Sequence, residues 1–317
     1  MLTIVYITFR ENCKFEWFIE SLLQQSNSEI RSKIQIVIVD GFLYNCNDEI
    51  KRREYISNTI NSNFDYIHVH PKPTLWQGKY RVTQDDYFAA GNTRNTGVCY
   101  AKYGYVAFHD DLGCPSKTWL SSVLIAKNNN VIQCGAYTKS SDMVVKDGLI
   151  ISKTDKGIDN RLNIYNKNIS LCNGSHFYGS SFCLPLSVYF KINGINEMCD
   201  GCGGEDYDFG IRLIRMGYKI YYNKEMFINE SEDIFGSDKE RKCIRKDPKK
   251  NINDPNSDLS HYLLNYCNNG PTIVNPLFSL KEYNYKINYL KQDPNNVFDI
   301  PNDTIHFFTN ELISKGL

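Results

Sequence analysis

Two groups of carboxylates in this chain have the residue types and spacing to do chemistry. The first lies between Cys199 and Ile220, CDGCGGEDYDFGIRLIRMGYKI, where Gly201, Gly203 and Gly204 lead into Glu205 and Asp206. Phe209, Leu213 and Met216 follow at helical spacing, and Gly217 is placed to end the helix. Acids at a helix start meet free N–H groups and a favourable dipole, so one reading is a capping cluster. A cap needs only one Asp or Ser, however, and glycine at this density serves the close approach of a ligand or another backbone. The second reading is therefore a site. Asp208 is the weaker candidate within it, because residues two apart on a helix point in different directions.

The second group follows Tyr105-Val106-Ala107-Phe108, an apolar run long enough for a buried strand, which ends in His109-Asp110-Asp111-Leu112-Gly113. Acids at the C-terminal edge of a buried strand stand where open α/β sheets hold their ligands. Neighbouring carboxylates repel unless a cation or a proton joins them. Hard divalent ions such as Mg²⁺ are commonly held by one or two carboxylates together with substrate phosphates. Asp-Asp before Leu-Gly is equally ordinary turn chemistry.

The elements that must position these acids alternate. Ile4–Thr8, Ile36–Asp40, Tyr66–Val69 and Tyr105–His109 are strand candidates, and Phe15–Gln25, Asp48–Asn61, Thr93–Lys102 and Lys117–Asn128 are helical. That alternation predicts βαβ units and a largely parallel sheet with right-handed crossovers. Thr8-Phe9-Arg10-Glu11 stands where a dinucleotide fingerprint would follow the first strand, and no phosphate-loop motif occurs, which disfavours dehydrogenases and P-loop kinases. From Gly135 to Ser175 the pattern is irregular. Glu230 to Asn256 is charged and Pro-interrupted, with a basic cluster from Lys239 to Lys250, and Leu259–Tyr266 reads as a short helix. The basic run is either a solvated loop or a lid whose cations meet a phosphate-rich ligand.

Bulk properties fit a soluble enzyme. The chain has 317 residues, 42% of them hydrophobic, and equal numbers of basic and acidic residues, 36 each. A formal charge of zero offers no whole-protein attraction to nucleic acid. No apolar run reaches membrane-spanning length, and the N-terminus starts on strand-like sequence without the regions of a signal peptide. The eleven cysteines are scattered, with Cys199 and Cys202 the one C-x-x-C pair and no second pair at zinc-ribbon spacing. Reduced thiols in a cytoplasmic protein are the expectation.

Four blocks together resemble one family. Leu2 to Gln25 (LTIVYITFRENCKFEWFIESLLQQ) resembles the first strand and helix of the inverting, family 2-like glycosyltransferases of GT-A fold. Ile34 to Gly41 (IQIVIVDG) resembles their second strand, which ends in a nucleoside-binding acid. Gly91 to Leu112 (GNTRNTGVCYAKYGYVAFHDDL) resembles their Ala-Arg-Asn helix and metal-binding acidic motif. Gly179 to Gly217, from GSSFCLPLSVYFKINGINE to GGEDYDFGIRLIRMG, resembles their acceptor-side block. The blocks are colinear and run from residue 2 to about residue 230.

The resemblance implies an α/β fold of GT-A type: a mostly parallel mixed sheet flanked by helices. Its catalytic domain would cover residues 1–230, with a nucleotide half to about 112 and an acceptor half from there to 230. A C-terminal extension, 231–317, would follow and offer surface for an oligomer contact. The implied activity is metal-dependent, inverting transfer of a hexose-like sugar from a nucleotide-sugar donor, with UDP the expected nucleotide, to a hydroxyl of a glycan or other acceptor. The implied cofactor is Mn²⁺ or Mg²⁺.

Residue by residue, the resemblance gives Asp206 the role of general base, with Glu205 orienting acceptor hydroxyls beside Gly179 and Gly204. It places Thr8, Arg10, Asp40, Arg94, Asn95 and Asp110 around the donor, although a salt bridge at a helix start also accounts for Arg94. Asp110 and Asp111 fall at the metal motif. The family pattern there is acid–any–acid, and Leu112 takes the place of the final acid. Relatives often add a downstream histidine to the metal, and His261 is the candidate here, an ordinary helix histidine being the other reading. His68 and His70 share a strand face with no evident carboxylate nearby and read as structural. Because a helix N-terminus lowers a carboxyl pKa, burial or the bound acceptor must offset it if Asp206 is to work as a base. A metal-dependent nucleotide-sugar hydrolase or nucleotidyltransferase is the competing enzyme class. A sugar-binding pseudoenzyme, with Leu112 in its favour, is the competing non-enzyme.

Overall fold

A computed structural model describes residues 1–232, apart from 45, 73, 75–76, 78–88 and 201–203. Its first half alternates β1 (Leu2–Thr8), α1 (Phe15–Gln25), α2 (Ser28–Arg31), β2 (Ile34–Asp40), α3 (Glu49–Ile60), β3 (Asp65–Val69), α4 (Ala90–Cys99) and β4 (Tyr105–Asp110). The second half contains β5 (Gly113–Pro115), α5 (Trp119–Asn128), β6 (Ile132–Lys146), β7 (Leu149–Ile158), α6 (Arg161–Ile164), β8 (Ile169–Cys172), β9 (Ser181–Pro185), α7 (Leu186–Lys191), α8 (Glu205–Arg215) and β10 (Ile220–Ser231).

One mixed sheet joins both halves in the order β3-β2-β1-β4-β9-β6-β10-β5, with β7 on β6 and β8 on β10. Its first four strands are parallel, and β9 runs antiparallel to β4. Parallel strands covered on both faces need apolar side chains at every position, which is why LTIVYIT and IQIVIVD lack alternation. Ile4 and Tyr6 pack under α1, α3 and α5, whereas Val5 and Ile7 pack against α4 and α8 on the opposite face. In α1, Phe15, Phe18, Ile19 and Leu22 form the buried stripe.

The helix boundaries show what sequence periodicity can and cannot see. Asp48 caps α3 by accepting from the Lys51 N–H, and Asn61 ends it in a left-handed conformation. The fourth helix begins at Ala90, three residues before the Thr93 expected from sequence, and all its residues are buried. A helix without a polar face has no amphipathic signature. Its cap is also remote: Asp200 accepts from the N–H groups of Gly91 (2.7 Å) and Asn92 (2.9 Å).

The stretch from Gly135 to Ser175, expected to be irregular, instead contains the long β6–β7 hairpin. Register shifts at three places along this pair break the period-two pattern, and β7 is largely exposed, so its sequence looks loop-like. Cysteines are free among the described residues, and burial pushes the thiols of Cys13, Cys114 and Cys183 up, to about 11, 12 and 12. They act as small buried apolar groups. Among the described residues no helix is long and apolar enough to cross a membrane. The basic cluster Lys239–Lys250, the expected helix Leu259–Tyr266, His261 and the whole extension from 233 lie outside the described residues.

Candidate active site

The acidic motif leaves the sheet at the end of β4, where Asp110 pairs in register with Ile7. Backbone contacts from several elements hold the turn after it. Asp110 N–H donates to Ser180 O, Asp111 N–H to Ile7 O, Leu112 N–H to Cys13 O, and Ser231 N–H to Leu112 O. Leu112 itself adopts positive φ (61°) and is buried, so the position of the pattern's last acid is filled by an apolar side chain turned into the core. Asp111 accepts from the Thr8 hydroxyl at 2.8 Å and from Arg10 Nε at 3.3 Å. These contacts bring Thr8, Arg10, Asp110 and Asp111 to one edge of the sheet.

Arg94 joins this edge to the second group of acids. It projects from α4, is 1% exposed, and donates from Nη2 to both Asp110 oxygens (2.8 and 2.9 Å) and to Gly179 O (3.1 Å). Its Nη1 donates to Glu205 Oε1 at 3.0 Å. Burial alone would favour the neutral guanidine, but Asp110 and Glu205 hold it firmly charged. Arg94 is thus a buried ion-pair partner of both groups of acids. Gly179 is required by packing here, since a Cβ on it would lie 2.7 Å from Arg94 Nη2.

At the start of α8, Gly204 supplies the positive φ of 86° that turns the chain into the helix. Asp206 Oδ2 accepts from the Gly179 N–H at 2.9 Å, and Oδ1 accepts from the Tyr207 N–H at 2.7 Å. Burial, and after it the charge of Glu205, push Asp206 up to about 6 against the pull of Arg94 and the two N–H groups. Burial thus outweighs the pull of the helix N-terminus on this carboxyl. Burial likewise raises Asp110 to about 6, with Arg94 opposing and Glu230 and Asp111 adding to it. Asp208 faces the interior, paired with Arg212 at 2.7 Å.

The structure places three other residues differently from the sequence reading. Asn95 is fully buried: its Nδ2 donates to Ile195 O and Glu197 Oε1, while its Oδ1 accepts from Tyr189 OH and Ile195 N–H. With its bonding capacity filled, it ties α4 to the 195–197 loop. His68 and His70 do have carboxylate neighbours, Asp40 at 3.1 Å and Glu49 at 3.4 Å. Asp40 is buried, accepting from Phe42 N–H, Arg52 Nε (2.7 Å) and His68. Burial works against its charge, yet His68 and Arg52 hold its carboxyl below the ordinary value. At this end of β2 the protein presents an Arg52–Asp40–His68 unit, not a bare acid. Sequence reasoning passed over Arg52, although Arg52, Ile56 and Ile60 share one buried stripe of α3.

Asp110 and Asp111 are oxygen donors of the kind hard divalent ions take, with phosphates to complete the shell. Among the described residues no set of three His, Cys, Asp or Glu is gathered as a metal cluster.

No family model matches the chain. It is 30% identical over 164 aligned residues to chondroitin synthase of Escherichia coli, covering 43% of this chain and 24% of that one. It is 27% identical over 164 residues to chondroitin synthase of Pasteurella multocida, covering 43% and 17%. The chain thus spans about a quarter or less of the curated relatives it matches. Among solved structures it is similar to GalNAc-T7 crystallised with UDP, GalNAc and Mn²⁺. The TM-score is 0.51 and the identity 13%, over 73% of this chain and 43% of that one.

Proposed function

We propose that this chain, GT-A in fold and a glycosyltransferase by family resemblance, moves a sugar from a UDP-sugar to a hydroxyl of a glycan with inversion. The observation that carries this reading is Asp206, a carboxylate raised to about 6 and fixed by the Gly179 N–H. A base with its pKa near the working pH combines a large ionised fraction with useful proton affinity. In this reading Asp206 takes the proton of the acceptor hydroxyl as that oxygen attacks the anomeric carbon opposite the leaving diphosphate. Glu205, fixed by Arg94, orients the acceptor. Thr8, Arg10 and Asp111 form the phosphate side of the donor site, and the Arg52–Asp40–His68 unit lies toward the nucleoside.

A divalent ion, Mn²⁺ or Mg²⁺, would be held by Asp110 and Asp111 and would neutralise the diphosphate leaving group. Arg94 fixes the Asp110 carboxylate by donating from Nη2 to both of its oxygens. Asp206 shares no carboxylate oxygen with Arg94, so base and donor acid are held separately around one cation. A nucleotide-sugar-binding protein without turnover is the second reading, and buried Leu112 at the acid motif favours it.

The test is a panel of UDP-sugars incubated with the protein and Mn²⁺, with and without a glycan mixture, read by UDP release and by product anomer. Acceptor-dependent release with inverted product is the expected result. Binding of UDP without release from any donor would leave the second reading.

A further inference from the structure

Beside Asp206 lies a group of side chains that the transfer reading does not use. Tyr178 immediately precedes Gly179, whose N–H fixes Asp206. Its ring centroid is 6.0 Å from that of Tyr137 on β6, with the planes 57° apart, and both residues are half-buried. Under them is Arg161, entirely buried, with its guanidinium carbon 4.1 Å from the Tyr178 centroid and 5.9 Å from that of Tyr137.

Arg161 has nothing left to offer a ligand. Its Nε donates to both Asp159 oxygens, Nη1 to His176 O, and Nη2 to Gly135 O and Asp159 Oδ2. Burying such an ion pair is costly, and apolar residues usually fill that volume at least as well. What the pair does here is back one face of Tyr178 with a fixed cation and lock the ring, one residue before the Gly179 N–H that holds Asp206. Next along the chain, the Ser180 hydroxyl oxygen is buried with no hydrogen-bond partner among the described residues, while its carbonyl holds the Asp110 N–H.

We propose that Tyr178, with Tyr137 beside it and Arg161 beneath, is the wall against which the acceptor's pyranose ring lies, and that the acceptor is a glycan, not a protein side chain or a simple alcohol. Tyrosine suits such a wall because its ring covers the C–H face of a sugar while the phenol meets the sugar hydroxyls. Few other side chains give so much rigid amphipathic area for so little lost freedom. The inference rests on the transfer reading for its identification of Asp206 as the base, and it adds the ring that positions the acceptor.

The test uses the whole chain with UDP and Mn²⁺ and, as probes, the methyl β-pyranosides of N-acetylgalactosamine, N-acetylglucosamine, galactose and glucuronic acid. Saturation-transfer NMR reports which sugar protons touch the protein, and calorimetry with UDP alone reports the donor side. The parent should transfer saturation to the C–H face of at least one probe. Tyr178→Ala should weaken that binding at least about tenfold, Tyr178→Phe should keep most of it, and UDP affinity should stay within about twofold in both. Tyr178→Leu, which keeps bulk without a ring, stands in should the alanine variant fail to fold. UDP binding with no saturation of any probe, or probe binding that survives loss of the ring, overturns the proposal while leaving the transfer reading intact. Probe binding that depends on Tyr178 in a protein that ignores UDP keeps the sugar wall and removes the transferase.

Discussion

Replacing Asp206 by Asn should stabilise the folded protein while removing transfer. The folded-state carboxyl lies at about 6 against an ordinary 3.8, a difference of ~3 kcal/mol against the charged form above pH 6. Asn removes that penalty. It also turns an NH₂ toward one of two N–H donors, Gly179 or Tyr207, which costs about 1–2 kcal/mol. The balance is a gain of about 1–2 kcal/mol at pH 7.5, by the same linkage. Because the folded pKa lies above the unfolded one, this group stabilises the parent as pH falls through 6. It adds ~1 kcal/mol between pH 7.5 and 5, a component that Asp206→Asn lacks. Urea denaturation at both pH values, followed by the fluorescence of the buried Trp17 and Trp119, reads the difference. Transfer should drop by about 10²–10⁴ with UDP affinity retained, and parent kcat/KM should decline below pH 6. A variant less stable than the parent at pH 7.5, or one whose stability follows the parent's pH dependence, would refute the electrostatic argument.

Arg94→Met leaves Asp110 and Glu205 without their shared cation, and a loss of ~3–5 kcal/mol is expected in urea denaturation at pH 8. The loss should shrink at pH 5, where Asp110 takes a proton; an equal loss at both pH values would point to packing alone. Gly179→Ala drives a Cβ toward Arg94, so a cost of ~1–3 kcal/mol is expected, with acceptor transfer hurt more than UDP binding. Unchanged kinetics would mean the loop yields freely. Asp200→Ala removes the acceptor for two α4 N–H groups, and faster amide exchange at Gly91 and Asn92 should report it. UDP should bind more weakly once Mn²⁺ is chelated; equal calorimetric affinity would take the metal out of the site.

Much of this architecture was legible because its signals are local. β-Branched runs gave the first strands, helical spacing from Phe209 to Met216 gave α8, and Asp48 and Asn61 marked the ends of α3. The acids at Asp110 and Glu205–Asp206 were visible as residue types at the ends of such runs. What was hidden depends on distant partners. Arg94 acquires its double role only when Glu205, 111 residues away, meets it beside Asp110. The cap of α4 comes from 109 residues downstream. The β6–β7 hairpin was obscured by register shifts that scramble its alternation. Asn95 looked like a ligand because polarity in sequence does not say which way a side chain faces, and here it faces inward.

The sheet has a consequence for any attempt to recombine such proteins. A cut near residue 112 would part β4 from β9, which flanks it from beyond the cut. The first helix turn of α4 is likewise finished by Asp200, and the charge of Arg94 is shared with Glu205. A grafted segment 1–112 would arrive with an open strand edge, an uncapped helix and a buried cation short of a counterion. Exchange of the segment after residue 112 between relatives should succeed only when positions 179, 200 and 205 travel as a set matched to residues 91–94.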